Sequence, residues 1–192
     1  MKDRLRAQTR REHGSRREYS FRREYSPRQR AALLAVAGAV FLVILPWALV
    51  RLGGRLDHAL DWPALRRPPV NAIAGGLLVL AGWLLGVWTN YLQFTLGRGT
   101  PVPVMPTQKL IVRPPYSYCR NPMALGVIGA YLGVSVIMGS PGAALLVLLG
   151  SAVLLPYIKV AEERELAARF GEEYLDYRRR VPFIIPGLRR KG

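Results

Sequence analysis

Long stretches without a single charge alternate along this chain with short stretches dense in arginine. Residues 31–50, 68–97 and 121–158 contain no Asp, Glu, Lys or Arg. Crossing the hydrocarbon of a bilayer takes about 20 apolar residues at about 1.5 Å rise each. The first run therefore predicts one transmembrane helix over about 31–50, and the second predicts another over about 70–94. The third run holds 158 − 121 + 1 = 38 residues, enough for two short helices, and Gly139-Ser140-Pro141-Gly142 at its middle reads as a tight turn. Spans over about 122–138 and 142–158 follow. Uncharged helices of this length offer water no polar face, which argues against a soluble helical core. The expected fold class is all-α: an integral membrane helical bundle of about four transmembrane helices, followed by a C-terminal cytoplasmic amphipathic helix over about 160–180.

Charge adds orientation to this picture. The chain has 192 residues and a formal net charge of +16, yet it is half hydrophobic, so the charges must be segregated. Residues 1–30 carry eleven Lys or Arg against four acids, the 98–120 segment carries four against none, and the chain from Lys159 onward carries nine against six. Lys/Arg bias in short connecting segments predicts that these three parts lie on the cytoplasmic side, with both termini inside. The 51–69 connection fits less well, because its four arginines stand against two acids and would face outward. The length suits one membrane domain over 31–192, preceded by a basic tail over 1–30.

That tail contains Arg-Arg-Glu-Tyr-Ser twice, six residues apart, within 15–27. A twin-arginine export signal is disfavoured, because the apolar run behind it is a full span long and no small-residue cleavage site follows. An arm for nucleic acid would use Arg for phosphate and Tyr or Phe for stacking. The simpler reading is a disordered polybasic segment held against anionic lipid, and no nucleic-acid partner is expected. Cys119 is the only cysteine, so no internal disulfide can form, and it reads as an inert small residue. No metal site is expected.

Chemistry is expected where the chain leaves the spans. Prolines at 101, 103, 106, 114, 115 and 122 forbid a continuous helix across 98–122, and a long irregular loop of this kind is a usual carrier of function. Asn121 suits a helix N-cap and Pro122 suits the first helical position. Free backbone N–H groups and a positive helix end beside Arg120 could hold an anion; a well-capped transmembrane helix with Arg120 reaching to head groups explains the same residues. Beyond the last span comes Lys159-Val160-Ala161-Glu162-Glu163-Arg164-Glu165. On a helix, Glu162, Leu166, Phe170 and Tyr174 recur every four residues, so Glu162 is expected to face inward as a ligand, with Glu163 and Glu165 pointing elsewhere. Gly126, Gly129 and Gly133 form a small-residue pattern that would let the third span pack closely.

Taken together, Tyr116-x-Tyr118-x-Arg120-Asn121-Pro122-Met123-x-x-Gly126 and the later Glu162-Glu163-x-Glu165-Leu166-x-x-x-Phe170-Gly171-Glu172-Glu173-Tyr174-x-x-Tyr177-x-x-x-Val181-Pro182 resemble the isoprenylcysteine carboxyl methyltransferase and phospholipid methyltransferase superfamily. The likeness covers about residues 98–188. It implies S-adenosylmethionine bound at the cytoplasmic membrane face, a lipid-like or prenylated acceptor drawn from the bilayer, and residence in the bacterial cytoplasmic membrane among membrane lipids. The cofactor positions it implies are Gln108, Lys109, Leu110, Ile111, Tyr116, Asn121, Pro122, Met123 and Glu162; Tyr118 is a further cofactor-binding candidate, and Arg120 and Glu162 are the expected catalytic pair. Arg120 and the start of the third span would hold the methionine carboxylate, and a tyrosine would face the adenine or the sulfonium. Family members often carry His at the Asn121 position and Tyr at the Ala124 position. The prenylcysteine enzymes carry Arg where Ile158 stands, which weakens prenylcysteine as the acceptor. His13 and His58 fall outside the signature, so no general base is evident. Two other readings are a membrane oxidoreductase similar to steroid reductases, and a non-enzymatic membrane scaffold with a polybasic tail.

Overall fold

The computed structural model describes residues 32, 35–97, 107 and 109–185. The basic tail and Gln108 lie outside the described residues. The chain divides into two units, Met1–Ala35 and Val36–Gly192, and every contact below belongs to the second. Among the described residues five helices follow one another: α1 over Ala35–Ala59, α2 over Pro68–Thr95, α3 over Pro122–Met138, α4 over Pro141–Phe170 and α5 over Glu172–Arg180. No strand occurs among the described residues. Helices α1, α2 and α4 are long and apolar enough to cross a membrane, and α3 is a shorter apolar helix. Large apolar side chains such as Trp47, Ile73, Leu77, Val153 and Tyr157 stand exposed on their outer faces, as lipid-facing surface requires. The fold is a membrane helical bundle.

Two helix ends differ from the charge-free runs. Helix α1 continues past Val50 to Ala59, so Arg51, Arg55, Asp57 and His58 ride on its last turns rather than in a loop. Helix α4 continues past Ile158 without a break to Phe170, and the break comes at Gly171 with φ 54° and ψ −130°. Nothing in a helix's backbone responds to the membrane boundary; it runs until a residue or a contact stops it. The charge-free part of α4 ends at Ile158, so the 159–170 segment carries the helix beyond its charge-free run.

Helix starts and stops have local causes. Asn121 accepts a hydrogen bond from the Ala124 N–H at 3.0 Å and Pro122 opens α3, the cap geometry that the sequence suggests. Gly139 ends α3 in the left-handed region at φ 62°, and a Cβ there would lie 2.8 Å from the Leu65 carbonyl oxygen. Ser140 then caps α4 by accepting from the Ala143 N–H at 3.0 Å. In α1 the residues Val40–Ile44 form a π-helical turn just before Pro46. Proline has no N–H to return to the carbonyl of Phe41. Tyr131 of α3 supplies the missing donor, its hydroxyl bonding the Phe41 carbonyl at 2.7 Å, which matters where no water can substitute.

Helices α2 and α3 run antiparallel, almost backbone to backbone. A Cβ on Gly82 would sit 2.3 Å from the Gly126 oxygen, and one on Gly75 would sit 2.6 Å from the Gly133 oxygen. Gly126 and Gly133 therefore serve the close packing read from the sequence. Gly129 does not, because a Cβ there would meet nothing within 4 Å. The second pair is α1 with α4, where Gly53 lies against Ala143 and Gly142 lies against Asp57. Asp57 accepts from the Ser140 hydroxyl and from the Gly142 N–H, bracing the start of α4.

Substituting Gly82 with Leu should force α2 from α3 and destabilise the detergent-solubilised protein by about 3 kcal/mol, the upper range for overpacking. Leu at Gly86, where a Cβ meets nothing within 4 Å, should leave the thermal unfolding midpoint nearly unchanged.

Candidate functional site

The antiparallel arrangement brings the end of α2, the loop leading into α3, the charged end of α4 and helix α5 to one end of the bundle. The 113–121 loop, which contains a cis Pro114–Pro115 peptide, is tied down by three hydrogen-bonding routes. Gln93 of α2 donates its Nε2 to the Tyr116 hydroxyl at 2.7 Å. The Tyr177 hydroxyl of α5 donates to the Tyr116 carbonyl at 2.6 Å. The backbone N–H groups of Arg120 and Asn121 donate to the carbonyls of Pro182 and Phe183 at 2.9 and 3.0 Å. The stretch after α5 thus lies alongside the start of α3 as a strap.

Arg120 is the hub of that strap. Its Nε donates to the Val181 carbonyl, and its Nη1 donates to Glu163 at 2.7 Å and to the Tyr174 hydroxyl at 3.0 Å. Its guanidinium carbon also lies 5.7 Å from the centre of the Phe183 ring, within cation–π range. The Arg120 and Glu163 side chains are only 9% and 16% exposed, so neither charge is well solvated without the other. Arg178 reaches the second Glu163 oxygen at 3.4 Å. Glu163 therefore points into the site, correcting the expectation that it faces elsewhere. That expectation carried one helical stripe through to Tyr174, and the break at Gly171 resets the register.

Glu162, one residue earlier, has different company. Its carboxylate accepts from Asn121 Nδ2 at 3.3 Å, although the residue as a whole is exposed. Surrounding protein raises its carboxyl to about 7, Glu165 adds to the rise, and Arg120 opposes it. Burial pushes the Tyr116 hydroxyl up to about 12, with the Gln93 hydrogen bond pulling the other way and Glu162 adding to the rise. Burial likewise raises Tyr174, Tyr177 and the Cys119 thiol, which leaves the thiol a poor nucleophile. Tyr116, Asn121 and Glu162 are thus brought together, and Arg120 stands beside them.

The remaining positions are spread around this centre. Pro122 and Ile111 are buried, Leu110 and Met123 are half-buried, and Lys109 is exposed. Tyr118 is 59% exposed, with its ring open to an incoming group. Several participants escaped the sequence reading: Gln93, Glu163, Tyr174, Tyr177 and the 181–183 strap. Glu163, Tyr174 and Tyr177 belong to the same patterned block, but their pairing depends on a fold that brings 116–121 against 163–183.

One polar atom here has no partner. Gln93 Oε1 is buried and makes no hydrogen bond among the described residues. Turning the amide over would exchange donor for acceptor at Tyr116 and still leave one polar atom unmet. Such a group is costly unless something else satisfies it.

Three comparisons with known proteins bear on this arrangement. Residues 70–173 match the family model described as phospholipid methyltransferase. The chain is similar to methanethiol S-methyltransferase 2 of Bradyrhizobium diazoefficiens, 30% identical over 144 residues that make up 67% of this chain and 53% of that protein. It is also similar to protein-S-isoprenylcysteine O-methyltransferase of Rattus norvegicus, 28% identical over 152 residues, 76% of this chain and 52% of that protein. The chain spans about half the length of the curated relatives it matches. No solved structure matches it significantly.

Removing the Arg120 side chain should leave Glu163 partly buried with only Arg178 for company. Arg120→Ala is expected to cost about 3 kcal/mol, the low end for breaking a buried pair. Adding Glu163→Gln to that variant should recover part of the loss, read as thermal unfolding in detergent. Tyr177→Phe should cost about 1 kcal/mol by the same measurement.

Proposed function

The chain belongs to the phospholipid methyltransferase family, and from that premise we propose that it transfers a methyl group from S-adenosylmethionine to a lipid-like or prenylated acceptor. The single observation that carries this reading is the meeting of Tyr116, Asn121 and Glu162 at one end of a membrane bundle, beside the Arg120–Glu163 pair. The polar groups there suit such a donor. It carries a cationic sulfonium, an amino group and an adenine amine, and the site offers the Glu162 carboxylate and the unmet Gln93 carbonyl as acceptors.

When bound, the donor would supply a methyl group on a positively charged sulfur, which leaves as a neutral thioether once the acceptor's lone pair has attacked. The protein's share is positioning and exclusion of water, which can supply about 7–11 kcal/mol of a barrier. Glu162 and Asn121 would hold polar groups of the donor, together with backbone from Gln108, Lys109, Leu110 and Ile111. Tyr118 would present an open aromatic face to it. Pro122 and Met123 would wall the start of α3. Arg120 would act mainly by fixing the strap, because Nε and Nη1 are engaged by protein; its Nη2, without a partner among the described residues, would be left for a carboxylate. A carboxylate acceptor needs no general base. An amine acceptor must first lose a proton, and among the described residues no histidine stands near. Carboxylate O-methylation is thus the better fit, and head-group N-methylation is the second. We read this end as the cytoplasmic face, a reading that the Lys/Arg bias of its connecting segments supports.

Equilibrium binding of S-adenosylmethionine to the detergent-solubilised protein tests the reading. Glu162→Ala should weaken binding on the order of tenfold, the scale of one lost charge-assisted hydrogen bond. Unchanged affinity in both Glu162→Ala and Arg120→Ala would remove the proposed site, and no binding at all would favour a scaffold. The pH dependence has a definite sign. A carboxyl raised to about 7 is ionised above that pH and neutral below it, so affinity for a cationic donor should fall as pH drops from 8 to 6. Glu162→Gln should flatten that dependence.

A further inference from the structure

The end of the bundle opposite this site holds a feature that methyl transfer does not use. Asn71 and Gln93 on α2 are 22 residues apart, about 33 Å at about 1.5 Å per residue, close to the thickness of a bilayer's hydrocarbon. At the Asn71 end lies a cavity of about 390 Å³, lined by Arg66, Arg67, Pro68, Asn71, Ile137 and Met138. No acidic side chain lines it, and neither guanidinium has a hydrogen bond or ion pair among the described residues. Its walls are firmly built. Asn71 accepts from the Arg67 N–H at 3.0 Å, and its Nδ2 donates to the carbonyls of Leu65 and Val136 at 2.9 and 2.6 Å. The Leu65 N–H donates to the Gly139 carbonyl at 2.9 Å. The backbone carrying both arginines is therefore fixed against the end of α3. Pro68 and Pro69 remove two amides from the start of α2, so attraction for an anion must come from the guanidiniums.

Three further observations narrow the occupant. The floor, Ile137 and Met138, is apolar. An exposed apolar seam, Val70, Ile73 and Leu77, leads away along α2 into the membrane-spanning part. Moreover, basic residues on a connection expected to face outward run against the usual charge bias of membrane proteins, and a bound anion would account for two of them. We infer that Arg66 and Arg67 form a headgroup site for an anionic phospholipid, the phosphate lying between the guanidiniums and an acyl chain following the Val70–Ile73–Leu77 seam. Arginine suits a phosphate through its planar fork of donors. The site is separate from the proposed methyl-transfer centre and does not depend on it.

The test uses the full chain in detergent, with phosphatidylglycerol, phosphatidylcholine or inorganic phosphate as the probe. Native mass spectrometry counts retained lipid, and thermal unfolding reports protection. Phosphatidylglycerol should be retained and should raise the unfolding midpoint, whereas phosphatidylcholine should do neither. Arg66→Gln/Arg67→Gln should weaken phosphatidylglycerol retention about tenfold, while the charge-matched Arg51→Gln/Arg55→Gln on the same end should not. Both guanidiniums of the pocket are exposed and have no partner among the described residues, so the double variant should keep the wild-type midpoint when lipid is absent. Arg66→Lys/Arg67→Lys should restore part of the retention. Equal loss in the two Gln variants would mean diffuse attraction and overturn the site. Protection by inorganic phosphate as strong as by phosphatidylglycerol would also overturn it, by showing a free-anion site.

Discussion

Water is absent from the bilayer interior, so helices there gain little from hiding apolar surface and must associate by close packing and mutual hydrogen bonding. In this protein that constraint is met chiefly between α2 and α3. Gly75 and Gly82 lie against Gly133 and Gly126 at distances that admit no side chain, and the seven-residue spacing on both helices keeps the contact in register along its length. Once that pair is set, α2 must end beside the loop that begins α3, and α3 must end beside the loop that begins α2. The positions of Gln93 near Tyr116 and of Asn71 near Val136 follow from one packing decision. A bulky residue at the seam would disturb both ends together.

The second helix pair works by a different balance. Helices α1 and α4 touch through Gly53 and Ala143, and the contact is reinforced by Asp57 holding the first turn of α4. Asp57 satisfies the Gly142 N–H that a helix start leaves unpaired, and its charge favours the positive end of the helix dipole. Farther along, the Tyr131 hydroxyl repairs the carbonyl that Pro46 leaves without a donor. Both devices pair a backbone group before it meets lipid. Helix α4 is thereby held at its start, and its charged continuation can reach the 113–121 loop.

Much of this was legible in the sequence, for reasons that differ by element. The start of α3 depends on Asn121 and Pro122 alone, and the α3–α4 turn on Gly139, Ser140 and Pro141, so local chemistry sufficed. The spans were visible as charge-free runs. The length of α1 was not, because Arg51, Arg55 and Asp57 are good enough helix residues and end nothing. Nor was the Glu163 partnership, since the Gly171 break resets the register between α4 and α5. Gln93 sits within a charge-free span and carries no local sign that its amide would meet Tyr116. Gly129 shows the converse: its spacing from Gly126 and Gly133 suggested a common face, but the contact with α2 passes it by.

The two adjacent glutamates illustrate why position within the fold, more than residue type, decides chemistry. Glu163 faces two arginines and a strap of backbone, so its negative charge is already answered and serves to hold the site together. Glu162 is reached by the neutral amide of Asn121, and Arg120 lowers its carboxyl less than its surroundings raise it. Its charge is left only partly compensated. An incoming cation can therefore gain attraction from Glu162 without first breaking an ion pair, whereas at Glu163 it would have to displace Arg120. If a positively charged donor binds at this end of the bundle, the balance of charges directs it to Glu162, and the Arg120–Glu163 pair keeps the surrounding walls in place while it does so.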